Sequence, residues 1–185
     1  DDPTQARGFA ALGLVDQTPE AMGIITFLNH PDTTDVILHH DVGLSVDAAT
    51  DLVTWRDGPD GLCGTPDDQG FASLDDIDAI AQLTDDEVDR LLDWVTGPGA
   101  NGGRGASLGM VDSVPFTVGE AELTMALVNH AHPDFLIDIC NVDRRAVTSI
   151  VDARPVANVH RLAALYWVGP KTLQLLKKSA LSYVD

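Results

Sequence analysis

Apolar residues recur at three- and four-residue intervals along much of the chain. Leu162, Leu165, Leu173 and Leu176, with alanines between them, show the spacing that lays an apolar stripe along a helix. Helix starts are marked as well. Thr18-Pro19-Glu20 reads as an N-cap, a first-turn proline and a first-turn acid. Ser73 precedes "LDDIDAIAQL" with Asp76 three residues on, which approximates a capping box. Thr84 precedes "DDEVDRLLDWV", whose acids fall at the positive end of a helix. No segment alternates convincingly with period two, so the expected fold class is all-α.

Two stretches interrupt this pattern. "RDGPDGLCGTPDDQGF" (56–71) carries four Asp and four Gly, and its glycines and prolines exclude helix and strand alike. "GPGANGGRG" (97–105) has the glycine density of a linker. On either side of that linker the chain repeats itself. "RGFAALGLVD" (7–16) is echoed by "RGASLGMVD" (104–112), and "FLNHPDTTDVILHHDVGL" (27–44) by "LVNHAHPDFLIDICNV" (127–142). "ATDLVTWR" (49–56) aligns with "VTSIVDAR" (147–154), and "FASLDDIDAIAQLTDDEVDRLL" (71–92) with "VANVHRLAALYWVGPKTLQLLK" (156–177). The expected organisation is an acidic repeat over 1–96, a linker at 97–103 and a second repeat over 104–185. Arg56 aligns with Arg154 and Phe71 with Val156, so the loop 57–70 replaces the single Pro155.

The best-preserved turn, "YWVGPKTLQLL" (166–176), resembles the helix-hairpin-helix motif, whose core reads hydrophobic–Gly–x–Gly/Pro–Lys–Thr at the entry to a second helix. "DVGLSVDAATDLVTWR" (41–56) and "ICNVDRRAVTSIVDAR" (139–154) look like the other half of the tandem arrangement. That arrangement occurs in competence-type extracellular DNA receptors and in the extrinsic lumenal protein of photosystem II. The resemblance implies two tandem copies of a paired helix-hairpin-helix unit. Two departures stand out: Asn141 replaces a hairpin glycine, and Thr84-Asp85-Asp86 replaces Gly169-Pro170-Lys171. In the motif, backbone N–H groups at a helix N-terminus face an anion, glycine permits close approach and lysine supplies charge. Val168, Gly169, Lys171 and Thr172 meet those demands, whereas the acids after Thr84 repel phosphate.

Charge changes the picture. The net charge of −18 is concentrated in residues 1–97, which hold three cations against 21 acids, while 98–185 balance eight against eight. Within the second half, seven cations and one anion lie between Arg144 and Lys178. Arg144, Arg145, Lys177 and Lys178 are thus the expected auxiliaries of a contact between the 168–172 turn and duplex DNA. A molecule of this net charge is nevertheless repelled by a duplex, and non-specific binding rests on cation–phosphate contacts. Charge therefore puts an unidentified protein partner ahead of DNA.

Asp57, Asp60, Asp67 and Asp68, with flexible carbonyls between them, make up the oxygen donors of a candidate calcium loop, although the spacing is not that of an EF-hand. Cys63 and Cys140 have no zinc-ligand spacing. Their even number, the acidity and only three lysines suit an exported protein in which one disulfide or two free thiols are the alternatives. No apolar run is long enough for a membrane span, and any export signal is expected to have been removed ahead of "DDPTQARGF". No nucleophile elbow, phosphate loop or His-Glu-x-x-His motif is present, so no catalytic activity and no small-molecule substrate are expected. His39-His40 and His130-Ala-His132 read as helix-end and turn residues rather than metal ligands.

Overall fold

The computed structural model describes residues 8–11, 13–63, 65–97 and 104–182. The chain divides into two compact units, Asp1–Ala106 and Ser107–Asp185. Of the expected linker only Gly97 lies among the described residues, where its N–H closes a helix on Asp93 O at 2.9 Å.

Unit 1 is helical. It contains α1 (Gly8–Ala11), α2 (Pro19–Asn29), a π-helical turn (Ile37–Val42), α3 (Val46–Asp57), α4 (Leu74–Ile80) and α5 (Asp85–Thr96). The expected starts of α2, α4 and α5 are realised. Thr18 accepts from Ala21 N, and Ser73 with Asp76 and Thr84 with Glu87 form complete capping boxes. α2 lies against α5, and the core is built from Ile24, Phe27 and Leu28 with Val88, Leu91 and Val95. The Phe27 and Trp94 rings add a tilted contact at 6.4 Å. Gly43, in the left-handed region at φ 90°, ends the π turn, and Leu38 O accepts from both Gly43 N and Leu44 N. His39 Nδ1 meets Leu44 O at 2.7 Å, so this histidine ties down the turn.

Unit 2 overturns the all-α expectation. Before its helices come β1 (Ser107–Val111) and β2 (Val114–Thr117), an antiparallel hairpin pairing Val111 with Val114 and Ser107 with Thr117. The chain is therefore mixed α and β. Asp112 and Ser113 both take positive φ, 45° and 66°, as a two-residue hairpin turn requires. Alternation is hidden because the register slips between Ser107 and Met110, where Gly109 sits at φ 69°. That bulge lets Leu108 and Val111, three residues apart, both face the core. The hairpin also marks a local difference between the two aligned stretches. "RGASLGMVD" enters a strand, whereas its counterpart "RGFAALGLVD" enters α1, with Phe9 buried and its N–H on Asp78 Oδ2.

The remainder of unit 2 is α6 (Val118–His130), α7 (Pro133–Asp138), α8 (Arg144–Asp152), α9 (Val159–Ala163) and α10 (Pro170–Ser182), with α10 packed on α6. Its core gathers Phe116, Val128, Leu136, Ile150, Leu162, Leu173 and Leu176.

A matching polar clasp is found in each unit. Asn29 accepts from Phe71 N at 2.7 Å and donates to Phe71 O at 2.8 Å. Asn129 does the same to Val156, at 2.9 and 3.0 Å. Arg56 Nη1 donates to Leu28 O, His30 O and Thr33 O, while Arg154 Nη2 donates to Ala131 O. In both units an arginine thus satisfies carbonyls at or just beyond a helix C-terminus.

Candidate interaction surface

The α9–α10 turn of unit 2 begins where Leu165 N and Val168 N close on Leu162 O and Leu165 O. Trp167 then takes φ 68°, an uncommon conformation for a bulky side chain. Gly169 caps α10, its carbonyl accepting from Leu173 N at 3.0 Å, and Pro170 fills the first helical position without wasting a donor. A Cβ at Gly169 would meet nothing within 4 Å, so the approach to this helix end is open. Val168 and Thr172 are buried, and Lys171 is exposed.

The aromatic pair at this turn points outward. Tyr166 keeps 85% of its surface and Trp167 60%. The Arg145 guanidinium lies over the Trp167 ring, 4.1 Å from its centroid. Arg145 also binds Asp143: its backbone N–H and its Nε donate to Asp143 Oδ1 at 2.9 and 3.2 Å. Those bonds hold the Asp143 carboxyl below the usual carboxylate range. The α7–α8 turn is shaped by Asn141, left-handed at φ 56°, and leaves Ile139 57% exposed.

The expected binding residues thus separate. Arg145 meets the α9–α10 turn through Trp167. Arg144 is exposed at the start of α8 and Lys178 on α10. Lys177 is engaged elsewhere: Nζ donates to Pro115 O at 2.6 Å, pairs with Glu120 at 2.7 Å and lies 5.1 Å from the Phe116 ring centroid. Sequence reasoning passed over Tyr166 and Trp167. The available signal was a tryptophan at the turn position where a left-handed backbone favours glycine.

Unit 1 treats its corresponding turn differently. Glu87 is 6% exposed, and Oε2 accepts from Thr84 N and Thr84 Oγ1 at 2.9 and 2.8 Å. Its Oε1 accepts from Ser45 N, at the N-cap of α3, at 2.7 Å. One carboxylate therefore clamps two helix starts. Burial works against the charged form, yet the bonds from Thr84 and Ser45 outweigh it and hold Glu87 below the usual glutamate range. The aligned position in unit 2 is Thr172.

The four aspartates of the inserted loop are engaged with their own surroundings. Asp57 faces Arg56, with Oδ1 2.7 Å from Nε and Oδ2 3.2 Å from Nη2. Asp60 Oδ1 accepts from Leu62 N at 2.8 Å, closing a local turn. The Thr65 hydroxyl lies 2.6 Å from Asp67 Oδ1 and 3.2 Å from Asp68 Oδ1, and the first bond lowers the Asp67 pKa. Gly58, at φ 69°, admits the Asp67 backbone where a Cβ would collide with its carbonyl. Among the described residues no group of three or more His, Cys, Asp or Glu side chains is gathered as a metal site. Cys63 and Cys140 are free thiols; burial pushes Cys63 up to about 11 and Cys140 upward as well.

No protein-family model matches the chain, and neither does any curated protein or solved structure. Among the described residues no helix is long and apolar enough to cross a membrane.

Proposed function

We propose that the protein is a non-catalytic binding module that docks a protein partner through the turn face of unit 2. The observation that carries this is Trp167: exposed, left-handed and stacked beneath Arg145. Backbone strain of this kind persists where the surroundings enforce it, and it clusters at functional sites. Trp, Tyr and Arg are also the residues that most often dominate protein interfaces. Ile139, at the neighbouring α7–α8 turn, adds exposed apolar surface. Burial keeps the Cys63 and Cys140 thiols protonated and poorly nucleophilic.

One observation favours a second reading, contact with the duplex DNA backbone at the start of α10. Unit 1 fills the junction of two helix starts with its own Glu87 carboxylate, whereas Thr172 stands at the aligned position beside an open Gly169 and an exposed Lys171.

Affinity capture with the immobilised chain tests both readings, using wild type beside Trp167→Ser and Lys171→Glu. Docking through the aromatic pair requires a polypeptide retained by wild type and lost with Trp167→Ser. Direct titration of the purified polypeptide must then show at least a tenfold weaker Kd for that variant. A labelled duplex bound at low salt by wild type, and at least tenfold more weakly by Lys171→Glu, would replace this reading with the second.

A further inference from the structure

Unit 1 carries a groove of about 460 Å³ between the exposed face of α3, the inserted loop and the end of α4. It is lined by Asp51, Thr54, Trp55, Pro59, Gln69 and Ile80, with no Lys or Arg among the described lining residues. Trp55 stays 37% exposed there, and Asp51, one helical turn earlier, shares its face of α3. Asp51, Thr54 and Gln69 are likewise exposed, so carboxylate, hydroxyl and carboxamide acceptors surround an accessible indole.

We infer that this groove receives an arginine side chain from a partner protein. A guanidinium is planar, lies flat on an indole and still offers its edge N–H groups to a carboxylate. Unit 2 contains that arrangement complete: Arg145 lies over Trp167 at 4.1 Å while its Nε donates to Asp143 at 3.2 Å. Trp55 and Asp51 present the same two partners. The setting selects for positive charge, because residues 1–97 hold 21 acids against three cations. A neutral sugar ring would gain the stacking but nothing from that field. A lysine ammonium would gain the field but lacks the planar, forked edge. This site lies within unit 1, and the inference stands or falls independently of the docking proposed for unit 2.

The test is titration of the ¹⁵N-labelled full chain with N-acetylargininamide at low ionic strength, following the indole N–H signals. The chain has three tryptophans, and Trp55→Phe identifies the relevant signal. The expected result is a saturable shift of the Trp55 signal at millimolar ligand. Binding should weaken at least threefold in Asp51→Asn, in 0.5 M NaCl, and when N-acetyllysinamide replaces the arginine compound. Asp51→Asn alters an exposed helical position, and overlay of its remaining signals with wild type verifies the fold. Absence of a saturable shift, unchanged binding in Asp51→Asn, or an equal response to methyl glucoside would overturn the inference.

Discussion

Glu87→Gln isolates the double clamp of unit 1, because it keeps the side chain's shape and removes its charge. The wild-type carboxylate offers an oxygen to Ser45 N and another to Thr84 N, at 2.7 and 2.9 Å. A glutamine has one acceptor oxygen and one amide nitrogen, so one of these N–H groups must face a donor. Leaving a buried donor unsatisfied costs about 1–3 kcal/mol, and losing charge assistance on the other bond adds about 1 kcal/mol. The expected loss is about 2–4 kcal/mol, which lowers the urea midpoint of unit 1 by about 1–2 M at the slopes usual for small domains. Trp94, in contact with Phe27, reports the transition by fluorescence. Amide exchange at Ser45 and Thr84 should accelerate in the variant. The pH dependence has a definite sign. The folded pKa of Glu87 is depressed, so its contribution is complete above the ordinary glutamate value of about 4.3 and is lost as pH falls through the lower folded value. The gap between wild type and variant must therefore narrow on acidification below about pH 4. A midpoint change under 0.3 M at pH 7 with both amides still protected, or a gap independent of pH, would refute the clamp.

Three further outcomes follow from the geometry. Asn129→Ala deletes both bonds to the Val156 backbone and should destabilise unit 2 by about 2–3 kcal/mol in urea unfolding; a loss under 0.5 kcal/mol would mean that water replaces the clasp. Trp167→Gly relieves roughly 1–2 kcal/mol of left-handed strain but forfeits a stacking contact and adds chain entropy of similar size. Stability should stay within about 1 kcal/mol of wild type while docking is lost, and a larger loss of stability would make Trp167 a structural support. Calcium at millimolar concentration should change the Tm by less than about 1 °C, because Asp57 already faces Arg56 and a cage needs about six to eight convergent oxygens. A chelator-reversible rise of several degrees would show that the loop rearranges around the ion.

Helix starts were legible because a cap is a local event: Thr18, Ser73 and Thr84 each bond within three or four residues of themselves. The β-hairpin was not, since the bulge at Gly109 places Leu108 and Val111 on one face at a spacing that resembles a helix. The clamp was half legible. Thr84-x-x-Glu87 announces a capping box, but the reach of Oε1 to Ser45, 42 residues away, depends on how α3 and α5 pack. Charge counting marked Lys177 as a ligand contact because it counts residues, not partners; Glu120 and the Pro115 carbonyl claim that ammonium. Trp167 and Trp55 look like core residues on hydrophobicity alone, and only their exposure marks them as surface features.

The difference in charge between the units has a physical counterpart at their helix starts. In unit 1 the first turn of α5 is Asp85-Asp86-Glu87, and Glu87 turns inward to bond the backbone donors that an external anion would need. The first turn of α10 holds no acid, and its cap is a glycine that supplies no side-chain acceptor. In unit 1 an acidic first turn accompanies a start of α5 bonded by its own carboxylate, while in unit 2 the first turn of α10 holds no acid and carries the exposed Lys171. If that coupling is physical, transplanting the acid must act locally. Thr172→Glu should reproduce part of the clamp within unit 2, with slower exchange at the Gly169 amide, which aligns with Thr84, and weaker binding of any anionic partner. An unaltered exchange rate there would mean that the two turns differ in geometry, and that charge alone separates the units.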